Sequence, residues 1–122
     1  MAASAVWPSS CAGRTGSQYG YSCTCTATSF TVPADISAIP PNAFAQCYSL
    51  TSVSAHPAVV SVGEYAFYYA TGLESFAWPV GATTVPYAAF HYATSLREIT
   101  GLEGVTSVEE NAFFYCTALE SF

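Results

Sequence analysis

The stretch Val62-Gly63-Glu64-Tyr65-Ala66-Phe67-Tyr68-Tyr69-Ala70-Thr71-Gly72-Leu73 decides the reading of this chain, because it returns downstream as Val108-Glu109-Glu110-Asn111-Ala112-Phe113-Phe114-Tyr115-Cys116-Thr117-Ala118-Leu119. The interval is two periods of 23 residues, and the intermediate copy is present. Phe44, Phe67, Phe90 and Phe113 fall in one column, each preceded by Ala. Leu50, Leu73, Leu96 and Leu119 form a second. Val53, Phe76, Ile99 and Phe122 form a third, and Ile39, Val62, Val85 and Val108 a fourth. A weaker column runs Ile36, Val59, Ala82 and Val105, and a small-residue column runs Cys47, Ala70, Ala93 and Cys116. No insertion or deletion breaks the period across the four copies.

One such unit cannot bury its own apolar edge, whereas stacked copies bury it against one another. The expected fold is therefore a solenoid of 23-residue coils, α/β in class but mainly β, with stacked parallel short strands and short helical turns. The segments Leu50 to Ala55 and Leu73 to Trp78 read as strands with inward positions filled, one strand per repeat. Pro57 and Pro79 end them, since Pro cannot donate to a ladder. The stretch from Glu64 to Tyr69 reads as a short helical turn whose Phe67 plugs the core. Phe44, Phe67, Phe90, Phe113, Leu50, Leu73, Leu96 and Leu119 are the predicted structural core.

Towards the N-terminus the register decays. Phe30 aligns with Val53 and Pro33 with His56, but Ala27 stands where Leu belongs and Tyr21 where Phe belongs. Residues 20–33 read as a degenerate capping half-repeat, as terminal repeats usually are. Residues 1–19, rich in Ser, Gly, Ala and Pro, read as a loose arm. The remaining 20–122 form one repeat domain of about four copies, whose last strand is cut at Phe122, and the expectation is a fragment of a longer array.

The chain is 52% apolar and 8% charged, with a net charge of −6. Its cations are Arg14 and Arg97, with no Lys. A nucleic-acid partner requires a basic patch, which cannot be built here. Docking to an anionic membrane surface is excluded for the same reason. No apolar run reaches the roughly 20 residues of a membrane span, so no membrane insertion is expected. Residues 1–7 carry no positive n-region and Pro8 follows, which does not read as a signal peptide.

The motifs carrying this pattern resemble the BspA-type (Treponema-type) leucine-rich repeats, with their I-x-x-x-A-F-x-x-C-x-x-L-x-x-I-x-I-P signature. Ile39-Pro40-Pro41-Asn42-Ala43-Phe44-Ala45-Gln46-Cys47-Tyr48-Ser49-Leu50-Thr51-Ser52-Val53 matches it closely, and the resemblance covers about residues 27–122. It implies a leucine-rich-repeat solenoid. It also implies a surface or secreted adhesin-like protein whose partner is a host matrix or cell-surface protein. The same repeats occur in intracellular proteins, so a cytoplasmic scaffold is the alternative. The chain departs from the signature where the strand-ending Pro shifts to His56-Pro57 and where Gly101-Leu102 replaces it, which predicts strands of varying length.

Chemistry for catalysis is sparse. Glu74, Arg97 and Glu120 share a column, which would set Arg97 between two carboxylates as a surface ion ladder or a polar contact for a partner. His56 and His91 have no Cys or carboxylate at ligand spacing and read as exposed surface residues. Cys47 and Cys116 read as small buried residues with inert thiols. Cys11, Cys23 and Cys25 read as a capping disulfide from Cys11 to Cys23 or Cys25, or as free thiols in a cytosolic setting. No phosphate-cradling loop, catalytic triad or glycosylation sequon is present, and the expectation is a non-enzyme with no cofactor and no metal.

Two surfaces remain as candidates. Tyr69, Tyr92 and Tyr115 stand in register, with Tyr68, His91 and Phe114 beside them. They read either as a half-buried flank packing the coils or as a binding stripe, for which Tyr suits. The strand face, expected to be concave, presents small polar residues that include Ser54, Glu98 and Thr100. Leucine-rich repeats usually bind there. The column Thr31, Ser54, Ala77, Thr100 is too broken for an ice-binding Thr array.

Overall fold

The computed structural model describes residues 15–16, 21–22 and 28–120. Short strands, one turn of 3-10 helix at Leu102–Gly104 and extended turns make up the described chain. β1 (Thr15–Gly16) and β2 (Tyr21–Ser22) pair antiparallel. Of the arm expected over residues 1–19, all but Thr15–Gly16 lies outside the described residues, as do Ser121 and Phe122.

The solenoid follows. Its first face is a parallel sheet of β3 (Ser29–Thr31), β5 (Ser52–Ser54), β7 (Ser75–Ala77) and β9 (Glu98–Thr100), in that order. Register is set by the apolar column: Phe30 lies opposite Val53, Val53 opposite Phe76, and Phe76 opposite Ile99. A one-residue slip would turn this column out to water, which is why the register holds. Each coil also carries a second strand that the period alone did not suggest. β4 (Ala38–Ile39) pairs parallel with β6 (Ser61–Val62), and β8 (Thr84–Val85) with β10 (Ser107–Val108).

The expected variation in strand length is absent: β3, β5, β7 and β9 all have three residues. Different devices end them. At His56 the ring replaces a proline, its Nε2 lying 2.8 Å from the Pro33 carbonyl oxygen of the preceding coil. After β9 the chain turns on Gly101, whose φ is 83°. A Cβ there would sit 2.6 Å from the Trp78 carbonyl oxygen, so only glycine fits.

The helical turn expected from Glu64 to Tyr69 is also replaced. Alternate N–H groups in this segment bond locally and to the next coil. Ala66, Tyr68 and Ala70 donate to the carbonyls of Gly63, Tyr65 and Phe67, whereas Tyr65, Phe67 and Tyr69 donate to those of Tyr87, Ala89 and His91. A helix would turn every donor inward along its own axis. Here half of them stitch the coils together. The geometry requires left-handed backbone at two positions per coil. One column is Asn42, Tyr65, Ala88 and Asn111, the other Gln46, Tyr69, Tyr92 and Tyr115, with φ between 55° and 62° throughout.

The core lies between the strand face and these turns. Phe44, Phe67 and Phe90 are fully buried, as are Leu50, Leu73 and Leu96. The phenyl rings form one stack: Phe44–Phe67 centroids lie 5.2 Å apart, Phe67–Phe90 5.1 Å and Phe90–Phe113 5.3 Å. Phe113 and Leu119, in the last coil, are partly buried and pack against this core. Trp78 is buried and its Nε1–H donates to the Ala82 carbonyl at 2.7 Å, so the polar edge of the indole is satisfied inside.

Candidate partner-binding surfaces

The strand face is built from outward positions that alternate with the buried column. Ser54, Glu98 and Thr100 are exposed on it, as expected. With Ser52, Ser75 and Ala77 they line an open groove of about 250 Å³. Its floor is small and hydroxylated, and its charged group is Glu98. The ion ladder beside it closes on one side only among the described residues. Arg97 Nη2 lies 3.9 Å from Glu74 Oε1, with both side chains more than half exposed. Such a pair adds under about 1 kcal/mol.

The turn flank is different in kind. The rings of Tyr69, Tyr92 and Tyr115 stack face to face, 4.7 Å apart at each step. Beside them Tyr68, His91 and Phe114 form a second column, with spacings of 5.2 and 4.9 Å. The columns touch through Tyr68–Tyr69 at 4.7 Å, His91–Tyr92 at 5.0 Å and Phe114–Tyr115 at 4.9 Å. All the aromatic residues predicted for this flank are therefore brought together. Exposure grows towards the last coil: Tyr69 and Tyr92 are half-buried, Tyr115 is 54% exposed and Phe114 43%.

Sequence reasoning missed part of this surface. Tyr65 packs edge-on to Tyr68 at 5.2 Å and to Tyr87 at 5.5 Å, extending the aromatic patch. These two fell outside the reading because they are 22 residues apart and share no column. The signal was diagonal: Tyr65 N–H donates to the Tyr87 carbonyl oxygen of the next coil. Tyr65, Tyr68, Glu64, Pro41 and Asn42 line a cleft of about 530 Å³. Burial raises the Tyr65 hydroxyl above its usual range, with Tyr87 and Glu64 adding to it. Tyr92 is raised likewise, by burial and then by Tyr115 and Tyr69. Both phenols are neutral donors at physiological pH.

Neither histidine is the exposed residue that was expected. His56 is half-buried by its bridge to Pro33. His91 is half-buried between aromatic rings, with Nδ1 buried and unpartnered, and burial lowers its pKa. Cys47 is disulfide-bonded, which overturns the reading of an inert free thiol at that position. Cys116 is free, and burial pushes its thiol up to about 11 while Sγ contacts the Phe90 carbonyl at 3.1 Å. The remaining cysteines lie outside the described residues. Among the described residues no group of three or more His, Cys, Asp or Glu side chains could hold a metal ion. No helix among them is long and apolar enough to cross a membrane.

The model of the BspA type leucine rich repeat region matches the chain in six copies over residues 16–122. The chain belongs to the BspA-type leucine-rich repeat family. Solved structures agree with that assignment. A Treponema pallidum leucine rich repeat protein superimposes with a TM-score of 0.74 at 25% identity, over 81% of this chain and 46% of that one. A leucine-rich repeat protein from Bacteroides ovatus gives 0.63 at 25% identity, over 76% and 24%. A leucine rich cell surface protein from Faecalibacterium prausnitzii gives 0.61 at 26% identity, over 78% and 31%. The chain thus spans less than half the length of each. No curated protein matches it. BspA-type repeats belong to a class of fold that serves generally as a non-catalytic binding scaffold, and the family supports a module of the protein-interaction type.

Proposed function

We propose that this chain is a protein-binding and adhesion module of a surface or secreted leucine-rich repeat protein, and that it engages a host matrix or cell-surface protein through the turn flank. The observation that carries the reading is where the tyrosines stand. Tyr69, Tyr92 and Tyr115 occupy left-handed backbone that costs a bulky residue about 1–2 kcal/mol. Asn or Gly would fill those positions with less strain. Ring stacking returns part of that cost, and a half-exposed run of phenols is a favourable interface composition. The strand groove, with small side chains, offers no comparable anchor.

Location outside the cell is supported by two facts. The similar F. prausnitzii protein is described as a cell surface protein. The disulfide at Cys47 suits an oxidising compartment, since cytosolic thiols are kept reduced. The same disulfide weighs against a cytoplasmic scaffold.

The test is surface plasmon resonance against a panel of purified matrix and cell-surface proteins. The variant Y69N/Y92N/Y115N keeps residues that tolerate positive φ. It should weaken binding on the order of tenfold or more. A strand-face variant, S54A/E98Q/T100A, should change binding less than about twofold. Loss confined to the strand-face variant would reverse the assignment of the surface. No binding to any protein of the panel would remove the adhesion reading. Titration of natively purified, denatured protein that finds all five cysteines reduced would remove the extracellular one.

A further inference from the structure

The Tyr65 cleft carries information about the partner that the rest of the flank does not. Two of its walls are the edge-packed rings of Tyr65 and Tyr68, and Glu64 lies exposed at its margin. Among the described residues Glu64 makes no ion pair; the one salt bridge joins Arg97 and Glu74, and β9, which follows Arg97, lies on the strand face. Further acid lies two coils on, where Glu109 Oε1 accepts the N–H of Tyr87 at 3.1 Å, and Tyr87, in the intervening coil, packs on Tyr65. Glu110 is exposed beside it. The chain supplies no lysine and carries −6 overall. An aromatic cleft edged by unpaired carboxylate is complementary to a cation that is also flat.

We propose that the cleft formed by Tyr65, Tyr68 and Glu64 receives an arginine side chain from an exposed cationic segment of the partner protein. The proposal rests on the reading of the turn flank as the protein-binding surface. A guanidinium can lie against a tyrosine ring while its fork of N–H donors meets a carboxylate. A lysine ammonium is a compact, strongly hydrated point charge and satisfies only half of that arrangement. The net negative charge draws such a segment in from solution and makes the association salt-dependent.

The experiment uses the full chain and fluorescein-labelled peptides of alternating Gly and Arg, Gly and Lys, or Gly and Gln, followed by fluorescence anisotropy. The Arg peptide should bind more tightly than the Lys peptide by about three- to tenfold, and the Gln peptide should not bind. Raising salt from 0.05 to 0.5 M should weaken the Arg peptide. Glu64→Gln and Tyr65→Asn should each weaken it by about three- to tenfold. Tyr65→Asn is chosen because Asn42 and Asn111 already occupy that left-handed column, so the coil is preserved; an unchanged melting temperature checks this. Glu98→Gln on the strand face should leave peptide binding unchanged. The proposal is overturned if the Lys and Arg peptides bind equally, if Glu98→Gln matters as much as Glu64→Gln, or if neutral oligosaccharides bind the cleft and resist salt. If Y69N/Y92N/Y115N abolishes binding to a matrix protein while the Arg peptide neither binds nor competes, the arginine site fails and the turn flank stands.

Discussion

Phe67→Ala removes the ring at the centre of the phenyl stack. Phe67 is fully buried, and its centroid lies 5.2 Å from Phe44, 5.1 Å from Phe90 and 5.0 Å from Phe76. Truncating such a side chain forfeits its transfer energy and leaves a cavity, together about 3–5 kcal/mol. Relaxation cannot recover much, because both neighbouring coils are held by inter-coil hydrogen bonds on either side of the void: Phe44 N–H to Ala66 at 2.7 Å, and Phe67 N–H to Ala89 at 2.8 Å. Phe113→Ala is the internal control. Phe113 is only partly buried in the last coil, so its truncation should cost about 1–2 kcal/mol. Urea unfolding followed by circular dichroism measures both. With a slope of about 1.5 kcal/mol per molar, Phe67→Ala should lower the midpoint by roughly 2–3 M and Phe113→Ala by under about 1.5 M. A loss under about 1 kcal/mol at Phe67, or an equal loss at the two sites, would refute the stacked-coil account of the core.

Ala88→Gly should change stability by under about 1 kcal/mol, because the strain relieved at φ 55° is set against a lost buried methyl and added chain entropy; a thermal melt checks it, and a larger loss would refute the strain argument. Cys116, with its thiol pushed up from 9.0 to about 11, should be alkylated by iodoacetamide on the order of a hundredfold more slowly in native than in urea-unfolded protein, read by mass spectrometry. His91 has its pKa lowered by burial below the ordinary 6.5, so the unfolded chain takes up a proton first as pH falls. Stability should therefore be full above about pH 6.5 and decline below it, and His91→Phe, the residue that stands at this position in the next coil as Phe114, should flatten that decline in melts from pH 7.5 to 5.

How much of this was legible depended on whether a feature lay in one column. Phe67 and Leu73 announced themselves by exact return, because burial between identical neighbours tolerates no drift, and Phe76 by a column that stays apolar. The parallel strands followed from the same columns, and so did the aromatic stripe of Tyr69, Tyr92 and Tyr115. The helical turn was misread because the columns show which side chains of Glu64 to Tyr69 face the core but not where its N–H groups go; the inter-coil hydrogen bonds of Tyr65, Phe67 and Tyr69 are invisible in a single copy. Tyr87 was missed because it meets Tyr65 across a 22-residue diagonal. The burial of His91 also comes from neighbours on other coils, Tyr68 and Phe114. The disulfide at Cys47 could not be read from a column that Cys and Ala share equally as small buried residues.

The left-handed columns join the scaffold to the surface. A residue with positive φ reverses the local direction of the chain, so that the flanking N–H groups alternate between the coil's own carbonyls and those of the next. That alternation is what stacks the coils without a helix. It also turns the side chains at 69, 92 and 115 into one row, since each sits at the same backbone geometry one coil further on. Asn would satisfy the backbone requirement at these three sites, as it does at Asn42 and Asn111. Packing alone does not require tyrosine there either, for Gln46 occupies the same position in the first coil. Under the proposed function, the stack at 4.7 Å answers a demand on the outer surface, added to a backbone that would form without it. On that reasoning, Tyr92→Asn should lose the stacking on two faces yet regain part of the strain energy, for a net loss of at most about 2 kcal/mol, while the loss in partner binding should be several times larger than stability alone explains. Parallel melts and binding isotherms on this one variant separate the two demands; a stability loss above about 3 kcal/mol would make the tyrosine row structural and strip the surface argument of its basis.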